Sequence, residues 1–190
     1  MVRKNCRWYF SECDDVAKVI LYIATSQDGF IADKDGGVDW LPHPNDNEDF
    51  FGYQALMKRI SVIVMGSRSY LQILNFGDWA WGDKTTYVFT LQPLKTTRID
   101  VFFVDEDIKS FMDKFKQQKS DQDIWLLGGA NLIKSFAQEK LIDECIITVI
   151  PKILGEGIKL EIPLCEDFTL TQTKSCDLGV EQKLYVRRLT

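Results

Sequence analysis

Two junctions in the sequence, each an apolar run that ends in glycine and polar residues, constrain the fold most. The first runs from Val62 to Tyr70 and contains Gly66, and the second runs from Ile124 to Asn131 and contains Gly128-Gly129. Each pattern predicts a strand, a tight turn and the start of a helix. The first N–H groups of a helix lack internal partners and carry the positive end of its dipole, so they bind phosphate well. Two such junctions predict a ligand with several phosphates, of the dinucleotide class.

Both junctions also have a structural interpretation. After Gly66, the hydroxyl of Ser67 or Ser69 can cap the helix, which is worth about 1 kcal/mol. At Gly128-Gly129, the absence of Cβ atoms can serve close packing of helix on strand. Because each glycine costs roughly 0.5–1 kcal/mol of backbone entropy relative to alanine, the pair favours binding. The sequence leaves both interpretations open at Gly66.

Size and composition predict one soluble globular domain over residues 17–190, after an N-terminal extension over residues 1–16. The chain has 190 residues and 45% hydrophobic content, and it contains no run of about 20 apolar residues that a membrane span needs. A net charge of −5 argues against a nucleic-acid surface, because phosphate-backbone binding needs clustered Lys and Arg. Residues 1–16 lack the apolar core of a signal peptide, so we expect a cytoplasmic protein.

The cysteines and the single histidine argue against a metal site. The five cysteines are widely spread, without a pair of C-x-x-C motifs, which is typical of reduced thiols. His43 lies between Pro42 and Pro44, and we interpret it as a solvated loop residue rather than a catalyst. We therefore expect no bound metal, since a structural zinc site needs four Cys or His ligands close together.

Hydrophobic patterning predicts alternating strands and helices, followed by an antiparallel hairpin. Residues 26–42, rich in glycine and aspartate, are predicted to form a long loop that covers the site. The predicted strands are Lys18–Thr25, Val62–Met65, Thr85–Thr90, Val101–Val104, Asp123–Leu127 and Glu144–Val149, with the hairpin strands Thr169–Ser175 and Glu181–Leu189. The predicted helices are Asn47–Ile60, Ser67–Leu74, Asp107–Gln118 and Asn131–Lys140.

Six segments, taken in order, resemble the dihydrofolate reductase superfamily. They are Ile23-Ala24, Asp28 to Ala32, Asp39 to Pro42, Val64 to Gly66, Tyr87 to Thr90 and Gly128 to Asn131. Together with Pro151 to Gly157, they are most similar to the bacterial branch that includes the C-terminal reductase domain of bifunctional riboflavin biosynthesis enzymes. The resemblance implies an α/β fold with a mixed, mostly parallel eight-stranded sheet flanked by helices. It also implies an NADPH site across the carboxyl ends of the strands.

The resemblance implies which residues hold the cofactor. Ala24 is expected beside the nicotinamide, and Thr90 is expected to close the adenosine pocket. One position departs from the family pattern, in which arginine directly follows the Met-Gly of the first turn: here Ser67 follows Gly66, and the arginine comes one position later, at Arg68. The displaced guanidinium either still holds the 2′-phosphate or leaves the preference for NADPH over NADH weaker. The other implied cofactor contacts are Gly66, Ser67, Arg68 and Ser69 on the adenosine side, and Gly128, Gly129, Ala130 and Asn131 at the pyrophosphate and nicotinamide ribose.

Candidate substrate contacts come from the loop after the first strand and from the end of the chain's sixth strand. Asp28 and Trp40 lie in that loop, although Trp40, like Trp79 and Trp81, also fits a packing role. Thr148 resembles the family's substrate-supporting threonine and is otherwise an ordinary strand residue. The resemblance places the loop containing Lys152, Gly155 and Gly157 at the border of the substrate, with Lys152 available to a phosphate; a simple hinge is the alternative.

Reduction of a dihydropterin needs a proton as well as a hydride, so a carboxylate is expected in the site. Asp46, Glu48 and Asp49 are the candidates, and complementation of a helix dipole is their structural alternative. Asp49 is our catalytic candidate, because it directly precedes Phe50 and Phe51 in the predicted helix.

These observations lead to one functional hypothesis and one alternative. The hypothesis is an NADPH-dependent reductase that transfers a hydride to a pterin, pyrimidine or related small heterocycle, and works as a homodimer without nucleic-acid or membrane partners. The segment around Trp79 and Trp81 is a candidate dimer patch if it is not a covered loop. The sequence contains neither H-x-E nor P-C-x-x-C, so a zinc deaminase site is not expected. The alternative is a nucleotide-binding or interaction module that kept the fold without turnover.

Overall fold

The computed structural model describes residues 17–42, 50–117, 123–175 and 179–188. Eight strands form one sheet in the order β5-β4-β3-β6-β1-β7-β10-β9, and two short strands, β2 and β8, form a separate antiparallel pair. The strands are β1 Val19–Ser26, β2 Phe30–Ala32, β3 Ile60–Gly66, β4 Thr85–Phe89, β5 Val101–Val104, β6 Asp123–Gly128, β7 Glu144–Ile150, β8 Ile158–Lys159, β9 Phe168–Ser175 and β10 Glu181–Arg187.

The sheet is parallel from β5 through β7 and antiparallel at β10 and β9. This confirms the predicted fold class, including the C-terminal hairpin. The strand β1 lies inside the sheet, where its residues Val19, Ile20 and Leu21 are fully buried. An apolar strand of this kind is stable only when both faces of the sheet are covered.

Helices cover both faces of the sheet. On one face, Met112 of α3 and Phe136 of α4 pack into the core with Leu21. On the other face, Leu56 of α1 and Tyr70 of α2 pack with Ile20. The helices are α1 Tyr53–Arg59, α2 Ser67–Leu74, α3 Ile108–Gln117, α4 Ala130–Gln138 and α5 Leu164–Asp167.

The predicted helix over Asn47–Ile60 is wrong at both ends. A 3₁₀ turn over Phe50–Gly52 precedes α1, and both Phe51 (φ 68°) and Gly52 (φ 75°) adopt left-handed backbone. Since consecutive left-handed residues cannot continue a right-handed helix, α1 begins only at Tyr53. At the other end Ile60 already belongs to β3. Residues 43–49 lie outside the described residues, and with them His43 and the acid candidates Asp46, Glu48 and Asp49; so does the extension over residues 1–16.

The long loop predicted over residues 26–42 contains regular structure. Its residues Phe30–Ala32 form β2, which pairs with β8. The pairing is missed by sequence reasoning because strands of two or three residues carry too little periodicity to be recognised. The helix α5 is missed for the same reason.

In the tryptophan-rich connection after α2, the two indoles turn toward the core. Trp79 and Trp81 pack against the core cluster that contains Tyr70 and Trp125, and the Trp81 indole N–H donates a 2.7 Å hydrogen bond to the Tyr53 hydroxyl. These two residues therefore have the packing role that aromatic area favours. Among the described residues, no helix has the length and apolar character needed to cross a bilayer.

Candidate active site

The two glycine junctions meet at one edge of the sheet. Gly66 ends β3 and Gly128 ends β6, and these neighbouring parallel strands are paired at Met65 and Gly128. A Cβ atom added at Gly66 would lie 3.8 Å from the Gly129 nitrogen and 3.9 Å from the Gly128 carbonyl oxygen. The two turns therefore form adjacent walls of one crevice at the carboxyl ends of the strands, where open α/β sheets bind their ligands.

Both helices that begin at this crevice lack side-chain caps. Gly66 is the N-cap of α2 and Gly129 is the N-cap of α4, and among the described residues neither helix has a side-chain hydrogen bond at its cap. Neither first turn contains an acidic residue. The capping interpretation of Ser67 and Ser69 is therefore wrong, and the first amides of both helices remain available to an anion.

The glycine pair has little room for side chains. Gly128 has φ 142°, a backbone conformation that residues with a Cβ rarely adopt, and the Gly128–Gly129 peptide bond is cis. A Cβ atom at Gly129 would lie 3.3 Å from the Ser69 hydroxyl oxygen of the opposite wall. Ala130 and Asn131 follow as the first residues of α4. The structure thus brings the residues of both junctions together, as the predicted pyrophosphate site requires.

Arg68 and Thr90 lie on the β3 side of this crevice. Arg68 is an exposed residue in the first turn of α2, and within the described ranges its guanidinium has no ion-pair partner. Thr90 directly follows β4, whose residue Phe89 pairs with Gly66. The Thr90 hydroxyl accepts a 3.0 Å hydrogen bond from the Gln92 amide. Both residues therefore occupy the edge at which the adenosine side is predicted.

A row of side chains crosses three strands on the other side of the crevice. Ala24 of β1 pairs with Thr148 of β7, which pairs with Gln182 of β10. The Gln182 amide is fully buried and donates hydrogen bonds to the Thr148 hydroxyl (2.9 Å) and to the Phe51 carbonyl oxygen (2.8 Å). The Tyr22 hydroxyl donates to the same carbonyl at 3.3 Å. This row fixes the turn that leads into α1.

Gln182 is a residue that sequence reasoning missed. The sequence contained a signal for it. Gln182 shares the inward face of its strand with Leu184 and Val186, and a polar residue on that face needs a buried partner. Only the neighbouring strand shows that the partner is Thr148.

Trp40 presents a buried donor beside Ala24. Its side chain packs with Ile150 and Val180, and Ala24 contacts the same cluster. Trp40 is only 9% exposed, and among the described residues its indole N–H has no acceptor. A buried unpaired donor costs about 1–3 kcal/mol. Among the described residues, the indole N–H of Trp40 is thus an unused donor in the cluster that Ala24 contacts.

Asp28 contacts the loop after β7. Its carboxylate accepts hydrogen bonds from the Ser26 hydroxyl (2.7 Å) and from the amides of Leu154 (3.1 Å) and Gly155 (2.8 Å). The Ser26 hydrogen bond, with those of the two amides, lowers the pKa of Asp28 to about 2. Of the other loop candidates, Gly157 packs against the Ala32 carbonyl, whereas Lys152 is exposed.

Comparison with known families agrees with this architecture. The family model described as the RibD C-terminal domain matches residues 77–183. This chain belongs to the RibD C-terminal domain family. The resemblance to the dihydrofolate reductase superfamily, and to its riboflavin biosynthesis branch, is thereby confirmed.

Two relatives of this chain come from Bacillus subtilis (strain 168). Uncharacterized protein YwjB is 37% identical over 172 residues, which cover 90% of this chain and 98% of the relative. Uncharacterized protein YyaP is 28% identical over 190 residues, covering 88% of this chain and 94% of the relative.

Three solved structures share the fold. A putative riboflavin biosynthesis protein from Shewanella sp. PV-4 superposes with a TM-score of 0.77 and 30% identity, covering 90% of this chain and 99% of that one. A second is a diaminohydroxyphosphoribosylaminopyrimidine deaminase/5-amino-6-(5-phosphoribosylamino)uracil reductase from Thermotoga maritima. Its TM-score is 0.66 at 15% sequence identity, and the match covers 91% of this chain and 57% of that one. The third is dihydrofolate reductase from Enterococcus faecalis, complexed with NADP(H). Its TM-score is 0.65 at 18% sequence identity, and the match covers 90% of this chain and 97% of that one. The last two structures, both under 20% identical to this chain, show that it shares its fold with reductases.

Proposed function

We propose that this protein is an NADPH-dependent reductase acting on a pterin, a pyrimidine or a related heterocycle. The observation that carries the proposal is the crevice between Gly66 and Gly128-Gly129, where two helix N-termini without side-chain caps lie side by side: a Cβ atom on Gly66 would be 3.8 Å from the Gly129 nitrogen. Adjacent amide clusters of this kind suit the two phosphates of a pyrophosphate.

The residues of the crevice fit NADPH. The amides that begin α2 and α4 would hold the pyrophosphate. Arg68 and Thr90 would contact the adenosine side. The small side chain of Ala24 would leave room for the flat nicotinamide ring. NADPH, when bound, supplies the hydride. Arg68 supplies a permanent positive charge without a competing carboxylate among the described residues, which suits a 2′-phosphate.

The substrate side offers neutral hydrogen-bonding groups. The Trp40 indole N–H is a donor without an acceptor, and the Thr148 hydroxyl lies one strand from Ala24. Such groups suit the carbonyl and amine edges of a heterocycle, and they orient its reducible bond toward Ala24. We keep Asp49, which precedes the described turn at Phe50, as the proposed proton source.

A titration followed by a turnover assay tests the proposal. NADPH is added to the protein while the fluorescence of its nicotinamide is followed, and dihydrofolate or 5-amino-6-(5-phosphoribosylamino)uracil is then added in separate samples. We expect saturable binding and loss of NADPH absorbance with one of the two substrates. Binding without oxidation of NADPH would instead favour the non-catalytic module. Failure to bind NADPH would overturn both the reductase proposal and the non-catalytic nucleotide-binding alternative.

A homodimer is part of the proposal. Trp79 and Trp81 are partly buried against the core, whereas Leu74 and Phe76 beside them are exposed, so the segment around the tryptophans remains the candidate patch. Sedimentation equilibrium of the purified chain measures the mass directly, and we expect twice the monomer mass of 21.9 kDa. A single species at the monomer mass would refute the dimer.

A further inference from the structure

The Gln182 side chain determines how the Thr148 hydroxyl group is hydrogen-bonded. Its amide nitrogen is fully buried and lies 2.8 Å from the Phe51 carbonyl oxygen and 2.9 Å from the Thr148 hydroxyl oxygen. A carbonyl oxygen can only accept, so the group that faces it must be the NH₂ group of the glutamine. An NH₂ group can only donate, and its second hydrogen points to Thr148. The Thr148 oxygen is therefore the acceptor in this contact.

The Thr148 hydroxyl group keeps its own hydrogen for another acceptor. A hydroxyl group has one hydrogen and two lone pairs, and the Gln182 amide uses a lone pair. Within the described ranges, the hydroxyl makes no hydrogen bond besides this one. Thr148 is only 3% exposed, and a buried donor is unfavourable unless something accepts its hydrogen. A bound ligand is the acceptor that this arrangement lacks.

The unused hydrogen lies in the row of side chains that begins at Ala24. Thr148 is paired with Gln182 on one side and with Ala24 on the other, so the three side chains share one face of the sheet. The methyl group of Ala24 cannot accept a hydrogen bond. Ile150, two residues further along β7 on the same face, packs with Trp40 in the cluster that Ala24 contacts. The Trp40 indole N–H also lacks an acceptor among the described residues, so this face carries two unused donors.

We propose that Gln182 is a positioning residue that makes Thr148 a hydrogen-bond donor toward the substrate, and that the substrate presents a ring carbonyl oxygen to Thr148. That the ligand on this face is the substrate rests on the function proposed above; the direction of the hydroxyl group does not. A carbonyl oxygen accepts the hydrogen. An amino group would place its own hydrogens against it and leave both donors unpaired. The substrate class is thus a heterocycle with oxo groups on the edge that faces β7.

Two pteridines that carry acceptors or donors on the same ring edge test the proposal. Lumazine has oxo groups at ring positions 2 and 4, and 2,4-diaminopteridine has amino groups there. Each is titrated into the protein without NADPH, and chemical shifts in ¹⁵N-edited NMR spectra give the dissociation constants. We expect lumazine to bind about tenfold more tightly, because its oxo groups accept the Thr148 hydrogen. Equal affinities, tighter binding of 2,4-diaminopteridine, or no binding of either compound would overturn the carbonyl assignment.

Replacement of Thr148 tests whether its hydroxyl group distinguishes the two compounds. We expect Thr148→Val, which removes the hydroxyl group, to abolish the preference for lumazine, and Thr148→Ser, which retains it, to keep the preference. In the same spectra, Thr148→Val should shift one of the two hydrogens of the Gln182 NH₂ group, because that hydrogen loses its acceptor. A preference that persists in Thr148→Val would show that the ligand does not take the Thr148 hydrogen. Unshifted NH₂ signals would show that Gln182 does not bond Thr148.

Replacement of Gln182 tests the positioning role. Gln182→Met keeps the length of the side chain and removes its NH₂ group, so the Thr148 hydroxyl group can turn and accept from an amino group. We expect the preference for lumazine to fall by about threefold or more. Gln172→Met, at an exposed position of the neighbouring strand β9, is the matched control and should leave the preference unchanged. An unchanged preference in folded Gln182→Met would refute the role; if this variant does not fold, the NH₂ signals in Thr148→Val decide it.

The absence of NADPH from these titrations separates the inference from the proposed function. If the protein prefers lumazine but oxidises NADPH with no substrate, the reductase proposal fails and the role of Gln182 stands. If the protein oxidises NADPH with a substrate but binds both pteridines equally, the role of Gln182 fails and the reductase proposal stands.

Discussion

Asp28, Trp40 and Arg68 are candidate binding residues whose side chains have different surroundings. The Asp28 carboxylate is occupied by three donors of the protein. The Trp40 indole N–H is buried without an acceptor in the described ranges, and Arg68 is exposed at a helix start. A ligand gains most from groups whose hydrogen-bonding capacity is unused, since it need not displace a protein partner. On this argument Trp40 and Arg68 are the stronger candidates for a ligand contact.

Replacement of Arg68 tests whether this residue recognises the 2′-phosphate of NADPH. We expect Arg68→Ala to lower the affinity for NADPH by about tenfold and the affinity for NADH much less. Only NADPH carries the 2′-phosphate that a guanidinium can pair with. Dissociation constants for both cofactors are measured by fluorescence titration. Lys109→Ala, which removes an exposed charge from α3, is the control. Equal weakening of both cofactors would show that Arg68 does not distinguish them.

The two described cysteines differ in reactivity. Burial raises the pKa of the Cys145 thiol to about 12, whereas Cys165 is exposed. Since the thiolate is the reactive form, we expect iodoacetamide to modify Cys165 in the native protein and to leave Cys145 unmodified until the protein unfolds. Peptide mass mapping after timed labelling checks this. Labelling of both residues at similar rates under native conditions would contradict it.

At the scale of elements, the site depends on where strands end. In a parallel pair the carboxyl ends lie at the same edge, so the glycines that end β3 and β6 become neighbours although they are 62 positions apart (66 and 128). Each turn delivers a helix start to that edge. The sequence pattern predicts the two turns, and the pairing of β3 with β6 makes them one crevice.

A methyl group at Gly66 tests the crevice. Gly66 has ordinary extended backbone (φ −85°), and an added Cβ atom meets no atom closer than 3.8 Å. We expect Gly66→Ala to cost less than about 1 kcal/mol of unfolding free energy, as a change at an N-cap does. NADPH affinity, measured by titration, should fall by about tenfold or more because the methyl group occupies the ligand's space.

Gly82→Ala is the matched control for this variant. Gly82 is exposed in the tryptophan-rich connection, and its added Cβ atom approaches only the end of the Arg98 side chain. We expect its NADPH affinity to equal that of the unmodified protein. If Gly66→Ala also bound NADPH normally, the crevice would not be the cofactor site.

At the scale of the whole molecule, ion pairs between side chains join the strand ends that lie opposite the crevice. Arg59, at the end of α1, contacts Asp123 at the start of β6 (2.7 Å) and Glu144 at the start of β7 (3.1 Å). All three side chains are less than a fifth exposed. These ion pairs thus lie at the ends of the strands opposite the proposed binding site.

Replacement of Arg59 tests this division. Arg59→Met leaves two carboxylates without that guanidinium at a poorly hydrated site, and we expect a loss of about 3 kcal/mol in unfolding free energy. Lys134→Met, which breaks a surface pair with Glu161, should have little effect. Urea unfolding measures both. NADPH affinity of folded Arg59→Met should be unchanged, and a large loss would show that the two ends are coupled.

The sequence by itself determined the elements and the chemistry of the turns. The helix Ser67–Leu74 and the strand Val101–Val104 have the predicted bounds, because apolar periodicity and local turn residues specify them within a few positions. The glycines at 66 and 128–129 were recognisable as a close-approach signal for the same local reason. The break before α1 was not, because the left-handed backbone of Phe51 is held by Gln182 and Tyr22 from other strands.

Only the tertiary structure decided which residues meet. The pairing of β1, β7 and β10 joined Ala24, Thr148 and Gln182 into a row, and the contact between two loops brought the Leu154 and Gly155 amides to the Asp28 carboxylate. These are contacts between residues far apart in the chain, set by strand order and register. A single sequence carries local propensity and burial, but the partner of a buried polar group is fixed only when the sheet assembles.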